Sequence, residues 1–349
     1  MNSTKKYYGE LNIFRALIII WVIIGHSFDD TLPFTSALHS YAYTFHMSAF
    51  FLLSGLLFAK KIKAAKTIKQ KAVLVKDRAL RLLVPYLFFT VVSYCLKYVF
   101  GEYANNPLPS GTQIFTDVLL GINNPNGGLW FLHNLFVFSV IAIIISFIPD
   151  ILTFCITVGI YILTIAFNLS NFQLITYFMM FFFAGIVISS YYSSVSQFFD
   201  RAFSKKKSKY TVIAICLLFV FISVSLFITE LKFSLETNII FKLLLCVINI
   251  LCWYLISQLL SHSKLQLKLI NEIGNYGMDI YMIGYYVQIS LRVVLNSMLG
   301  LPYLVYSICM MVFGLLLPIP ISKYIVRRFK ITRALVLGDF KNNNAESSK

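Results

Sequence analysis

The sequence predicts an all-α polytopic membrane protein with about ten transmembrane helices and both termini on the cytoplasmic side. Three observations carry this reading. Hydrophobic residues fill 58% of the 349 positions, charged residues only 13%, and the mean hydropathy is +0.78. Apolar runs long enough to cross a bilayer occupy nearly the whole chain, so no soluble domain of ordinary size fits beside them. Lys and Arg collect in particular segments between the runs, as the positive-inside rule requires.

Length and boundary signals place spans near 12–28, 43–60, 82–100, 129–148, 151–168, 173–191, 210–229, 238–259, 276–297 and 301–326. The first run, FRALIIIWVIIGHSFDD, is long, lacks a small-x-small cleavage site and carries Arg15 and His26. It therefore reads as a retained helix rather than a signal peptide. The segment after the second span holds Lys60, Lys61, Lys63, Lys66, Lys69, Lys71, Lys76, Arg78 and Arg81, which places it in the cytoplasm. Arg201 to Lys209, Lys264 with Lys268, and Lys323 to Arg333 fall on the same side. Residues 101–128 contain Glu102 and Asp117 but no Lys or Arg, as expected of an external loop, and are long enough to form a lid or an acceptor platform. Residues 1–335 form the membrane domain, and 336–349, ending in KNNNAESSK, a polar, disordered cytoplasmic tail.

Topology accounts for the net charge of +16, since basic loops orient the protein and meet anionic membrane lipids. Nucleic acid is not implied, and the expected location is the cell membrane, plasma or inner. Cys95, Cys155, Cys216, Cys246, Cys252 and Cys309 all lie in apolar runs and read as packing residues, with neither a disulfide framework nor a metal spacing.

Polar groups inside the apolar runs point to chemistry. Eleven residues separate Arg15 from His26, which at about 100° per residue places both on one helix face, roughly 16 Å apart. Ionisable residues in membrane helices are costly and by default face a bundle interior or a water-filled cavity. If the helix continues, Asp29 and Asp30 stand three and four positions beyond His26, where a carboxylate fixes the imidazole tautomer of a general base. Arg78 and Arg81, three apart, have the spacing of a phosphate clamp. Late in the chain, Tyr281, Tyr285, Gln288 and Arg292 form a polar stripe, with Arg292 placed to pair with Asp29 or Asp30 or to line an acceptor cavity. Each has a plainer reading: a snorkelling Arg15, an interfacial His26, and orienting arginines at 78 and 81.

Four matches together resemble acyltransferase family 3, a family of membrane proteins. They are Arg-x10-His at Arg15 and His26, FHMSAFFLLSGLLFA around His46, Ser54 and Gly55, RxxR at Arg78–Arg81 followed by VPY, and GGLWFLHNLF around Trp130. The resemblance implies transfer of an acyl group, commonly acetyl, from cytoplasmic acyl-CoA to a hydroxyl of a cell-surface glycan or lipid-linked glycan. It makes His26 the catalytic histidine, Arg15 its partner on the same helix and Arg78 with Arg81 the arginine motif near the cytoplasmic face, and it counts His46, Ser54 and Trp130 among the other motif residues. Taken with the spacings above, this assigns Arg15, Arg78 and Arg81 to the donor, Asp29 or Asp30 to the orientation of His26, and His46, Ser54, Trp130 and Arg292 to the remaining substrate contacts. No metal is required. Direct transfer and an acyl-enzyme on Ser27 or Ser54 both satisfy the sequence. One departure is visible: where many members have Tyr-x-x-His, this chain reads Tyr281-Met282-Ile283-Gly284. The rival reading is a transporter or exporter of an envelope precursor, with Arg15 and His26 on a substrate or proton path.

Overall fold

The computed structural model describes residues 9–99, 110–204, 206–233, 238–263 and 267–340. It is 86% helix and has no strand among the described residues. In chain order the helices are α1 (Gly9–Ser27), α2 (Pro33–Tyr43), α3 (His46–Ala64), α4 (Ile68–Val99), α5 (Gly111–Leu120), α6 (Trp130–Ile144) and α7 (Asp150–Ala166). They continue as α8 (Ser170–Ser204), α9 (Lys206–Phe233), α10 (Ile239–Ser261), α11 (Lys268–Asn275), α12 (Gly277–Leu291), α13 (Tyr303–Leu316), α14 (Pro318–Ile321) and α15 (Lys330–Leu337).

Among the described residues, seven segments are long and apolar enough to cross a membrane: Gly9–Ser27, Pro33–Ala64, Ile68–Val99, Phe172–Ser204, Lys209–Thr229, Ile239–Ser261 and Tyr303–Val326. α6 and α7 are shorter apolar helices at two further expected spans. α12 occupies another and runs on into a π-helical turn, Arg292–Met298. The chain is a multi-pass membrane protein.

α1 is the hub. It packs against α2, α3, α10, α11, α12 and α13, and its apolar residues are buried nearly all round, as a central helix requires. The closest crossing joins α3 to α8. A Cβ on Gly55 would collide with the backbone at Phe182, and one on Gly185 with the backbone at Leu52, so each glycine admits the other helix. Phe51 fills the seam beside them, with Phe131, Phe138 and Phe178 at ring separations of 4.8, 5.2 and 5.2 Å.

Three boundaries differ from the sequence expectation. The basic segment 68–81 is helical rather than a loop, because Thr67 and Gln70 form a capping box: the Gln70 amide donates to Thr67 Oγ1 at 3.2 Å and Gln70 Oε1 accepts from the Thr67 amide at 3.1 Å. α4 is thus 32 residues long, about 48 Å, and its first turns extend past a ~30 Å apolar core. Residues 33–43 also fold as a helix, with Pro33 at its start. At the C-terminal end, Val336 and Leu337 belong to α15, which packs on α4, and the backbone of Leu80 and Arg81 leaves no room for a Cβ on Gly338. The polar tail therefore begins later than 336, and residues 341–349 lie outside the described residues, as do 100–109 of the expected external loop.

Candidate active site

α1 has a different chemistry at each end. Near its start Arg15 lies against Gly277, with Nη1 donating to the Gly274 carbonyl at 3.4 Å. α11 reaches α1 closely there because Gly274 has no side chain to strike Asn12. Arg81 is near enough to repel both Arg15 and Arg78 electrostatically. The Arg78 guanidinium covers the Phe58 ring at 4.0 Å, and its buried Nε has no hydrogen-bond partner. Among the described residues none of these three arginines has a carboxylate partner. An anion placed among these guanidiniums would relieve their repulsion and give the buried Arg78 Nε an acceptor.

At the far end, α1 stops at Ser27, and the loop that follows removes Asp29 and Asp30 from the helical register on which their approach to His26 depended. Asp29 instead accepts from Arg292 Nη2 at 2.9 Å and from Thr31. The Tyr303 hydroxyl accepts from the Asp29 amide at 2.9 Å, so the residue joins the end of α1 to α12 and α13. Partial burial pushes the Asp29 carboxyl up, but the bonds from Thr31 and Tyr303 and the Arg292 charge outweigh it and hold the group below its ordinary value. Asp30 accepts from Ser36 at 2.8 Å and stands 3.6 Å from His39 Nδ1. Neither aspartate hydrogen-bonds to His26.

The partner of His26 is Tyr43, whose hydroxyl lies 3.5 Å from Nδ1. Tyr43 is held on several sides: its ring packs edge-on against His39 at 4.6 Å and His46 at 5.0 Å, and Gly25 leaves space for it on α1. His46 is buried, with Nδ1 bound to the Ala42 carbonyl at 2.5 Å, so its contact with the site passes through Tyr43. Trp130 packs on Phe51 and Phe178, and Ser54 is half-buried beside the Gly55 crossing with no side-chain hydrogen bond among the described residues.

His26 faces a small cavity, about 20 Å³, lined also by Asn126, Gly128, Tyr281, Tyr285 and Gln288. That is room for about one water. The turn at 121–129 forms its roof and is tied to α12: Tyr285 donates to the Pro125 carbonyl at 3.0 Å, Asn126 Nδ2 to the Tyr286 hydroxyl at 3.3 Å, and Tyr281 to the Gly128 carbonyl. Gln288 donates to the Ile23 carbonyl at 3.0 Å and to Ser27 Oγ at 2.8 Å, locking α12 to the last turn of α1. The Tyr281–Gln288 stripe was visible as a pattern, whereas Tyr43 and Asn126 carried no signal beyond being polar near a histidine and a glycine pair. Gly284 also has a structural reason: a Cβ there would lie 2.8 Å from the Gly314 carbonyl oxygen and 3.1 Å from Ile23, so a histidine at this position has no space.

No curated protein and no solved structure matches the chain. A family model described as an acyltransferase domain matches residues 8–323, from before α1 into the π-helical turn at Ser322–Val326, and so spans every group described above. The chain belongs to acyltransferase family 3 and is a membrane acyltransferase.

Proposed function

We propose that the protein moves an acyl group, most simply acetyl, from cytoplasmic acyl-CoA to a hydroxyl of a cell-surface glycan or lipid-linked glycan, with His26 as general base. The observation that carries this reading is the polarity of α1, with an uncompensated arginine cluster at one end and a histidine facing a cavity at the other. Arg78 and Arg81 take the phosphates of coenzyme A, and Arg15 holds the pantetheine arm or a phosphate as the arm enters the bundle. About ten spans and cytoplasmic termini put the arginines on the donor side.

In the tautomer whose Nδ1–H donates to the Tyr43 oxygen, Nε2 of His26 keeps its lone pair for the acceptor hydroxyl. The hydroxyl oxygen attacks the thioester carbonyl while Nε2 takes its proton. The carbon–sulfur bond then breaks, and the imidazolium returns the proton to the departing thiolate. The turn at 121–129 must yield, because the cavity holds about one water and not an acyl group. His46 and Trp130 support the site from behind through Tyr43 and Phe51, whereas the Arg292–Asp29 pair ties the end of α1 to α12 outside the reacting groups.

The test uses the purified full chain in nanodiscs with radiolabelled acetyl-CoA, scoring binding and thioester turnover. Arg78→Ala/Arg81→Ala loses binding, whereas His26→Ala keeps binding and loses turnover. Full turnover in His26→Ala refutes the general base, and absence of acetyl-CoA binding in every form refutes the donor and favours an exporter of an envelope precursor.

A further inference from the structure

A larger cavity, about 220 Å³, lies away from α1, where the ends of α3 and α6 meet the starts of α4 and α7 against α8. Its rim carries Lys63, Lys66 and Lys71, and Asp150 is the one carboxylate in the lining. Lys63 is compensated, with Nζ 2.8 Å from Asp150 Oδ2 and donating to Ser190 Oγ at 2.7 Å. Lys71 donates to Ser146 Oγ at 2.6 Å, a neutral partner that leaves two of its three N–H groups and its whole charge unmatched. Lys66 has no ion pair or side-chain hydrogen bond among the described residues. Two cations therefore remain over a floor of Ile62, Ala142, Ile145, Phe183 and Ile186.

The surroundings of the mouth separate one class of anion from another. Phe147, Ile151 and Leu152 adjoin lining residues in sequence, Ile68 follows Lys66 by two positions, and all four are exposed, Phe147 to 79% and Ile68 to 85%. An apolar collar beside a cationic hollow, at the end of the bundle that carries the basic segments, suits an amphiphile whose charged head enters and whose tails stay outside. A water-soluble anion gains nothing from the collar. The volume is also below the roughly 300–1,000 Å³ of pockets that enclose whole small molecules, which fits a headgroup rather than a nucleotide.

We propose that this cavity is a binding site for an anionic phospholipid, with Lys66 and Lys71 donating to its phosphodiester and the acyl chains lying along Ile68, Phe147, Ile151 and Leu152. The site is separate from the donor and acceptor machinery, and it stands whether or not the reading of His26 does.

Native mass spectrometry of the full chain, exchanged into detergent with phosphatidylglycerol or phosphatidylcholine, tests it. Wild type retains phosphatidylglycerol in preference to phosphatidylcholine, and each lysine removed weakens retention about fivefold, or about thirtyfold for Lys66→Gln/Lys71→Gln. Should the double variant fail to fold, Lys66→Glu alone, on an exposed and unpaired side chain, carries the same expectation of reduced retention. Equal retention of the two lipids by wild type, or unchanged phosphatidylglycerol retention in the variants, overturns the proposal. Acetyl-CoA binding is measured in parallel and stays unchanged in the lysine variants. Loss of acetyl-CoA binding with phosphatidylglycerol retained assigns the cavity to the donor and overturns the lipid site.

Discussion

Replacing Tyr43 with Phe removes one oxygen and leaves the ring packed among His39, His46 and Gly25, so the change isolates the contact with His26 Nδ1. At 3.5 Å the contact is long, and in the resting protein it stands at the low end of the ~0.5–1.5 kcal/mol that a neutral hydrogen bond contributes. As the imidazole gains a proton, the bond becomes charge-assisted, worth ~1.5–3 kcal/mol, and catalytic hydrogen bonds of this kind tighten in the working complex. The difference, about 1–2 kcal/mol, corresponds to a fall of roughly fivefold to thirtyfold in kcat. The acetyl-CoA KM stays unchanged, because Tyr43 lies at the opposite end of α1 from the arginines. The assay is release of free coenzyme A thiol by protein in nanodiscs, beside Asp29→Asn and Asp30→Asn, which change kcat by less than about twofold if neither carboxylate serves His26. Full kcat in Tyr43→Phe together with a large loss in either aspartate variant refutes the reasoning and returns the role to a carboxylate.

Arg78→Ala weakens acetyl-CoA binding by about tenfold or more with little change in turnover of bound donor, as read from a titration and a single-turnover measurement, since a charged hydrogen bond contributes ~1.5–3 kcal/mol. Gly185→Ala forces α8 away from α3 and lowers the thermal midpoint in detergent, consistent with an overpacking cost of ~1–3 kcal/mol, whereas Gly159→Ala, which has open space at its Cβ, leaves it unchanged. Asp29 has a depressed carboxyl, so its contribution to stability is complete above the ordinary carboxylate range and fades as pH falls through that range and below. Thermal melts of wild type across this acid window lose a small increment that Asp29→Asn lacks at every pH. Gly284→His fails to restore a Tyr-x-x-His arrangement and instead destabilises the protein, because the carbonyl of Gly314 occupies the space, a result visible in the same melts.

What could be read from the sequence followed physical range. Helical, membrane-embedded character depends on composition and run length alone, and it holds. The positions of α1, α7 and α10 lie within a few residues of the expected spans for the same reason. The start of α4 was missed because lysines and a lone Asp77 look like loop, while the Thr67–Gln70 cap that nucleates the helix is a two-residue signal within them. At the site, Arg15 and His26 were legible because one helix sets their relation. The approach of Asp29 to His26 was conditional on a helix running two residues past Ser27; the helix stops there, and the loop gives the carboxylate to Arg292, 263 positions away, the other pairing the sequence offered. Tyr43 was invisible for a related reason: its approach to His26 depends on how α2 folds back on α1, a tertiary fact with no local periodicity.

The interval between Arg15 and His26 belongs to a single uninterrupted rod, so the protein carries a gauge as well as a pair of groups. Side chains along that rod are free to vary wherever the packing tolerates it. Its length is not: one residue inserted between them would carry His26 about 1.5 Å further and turn it by about 100°, off Tyr43 and into the neighbouring helices. On the proposed reading, a donor arm of fixed reach between the arginines and His26 would demand a fixed count of residues, so the chain's freedom to drift would be a freedom of spelling without a freedom of metre.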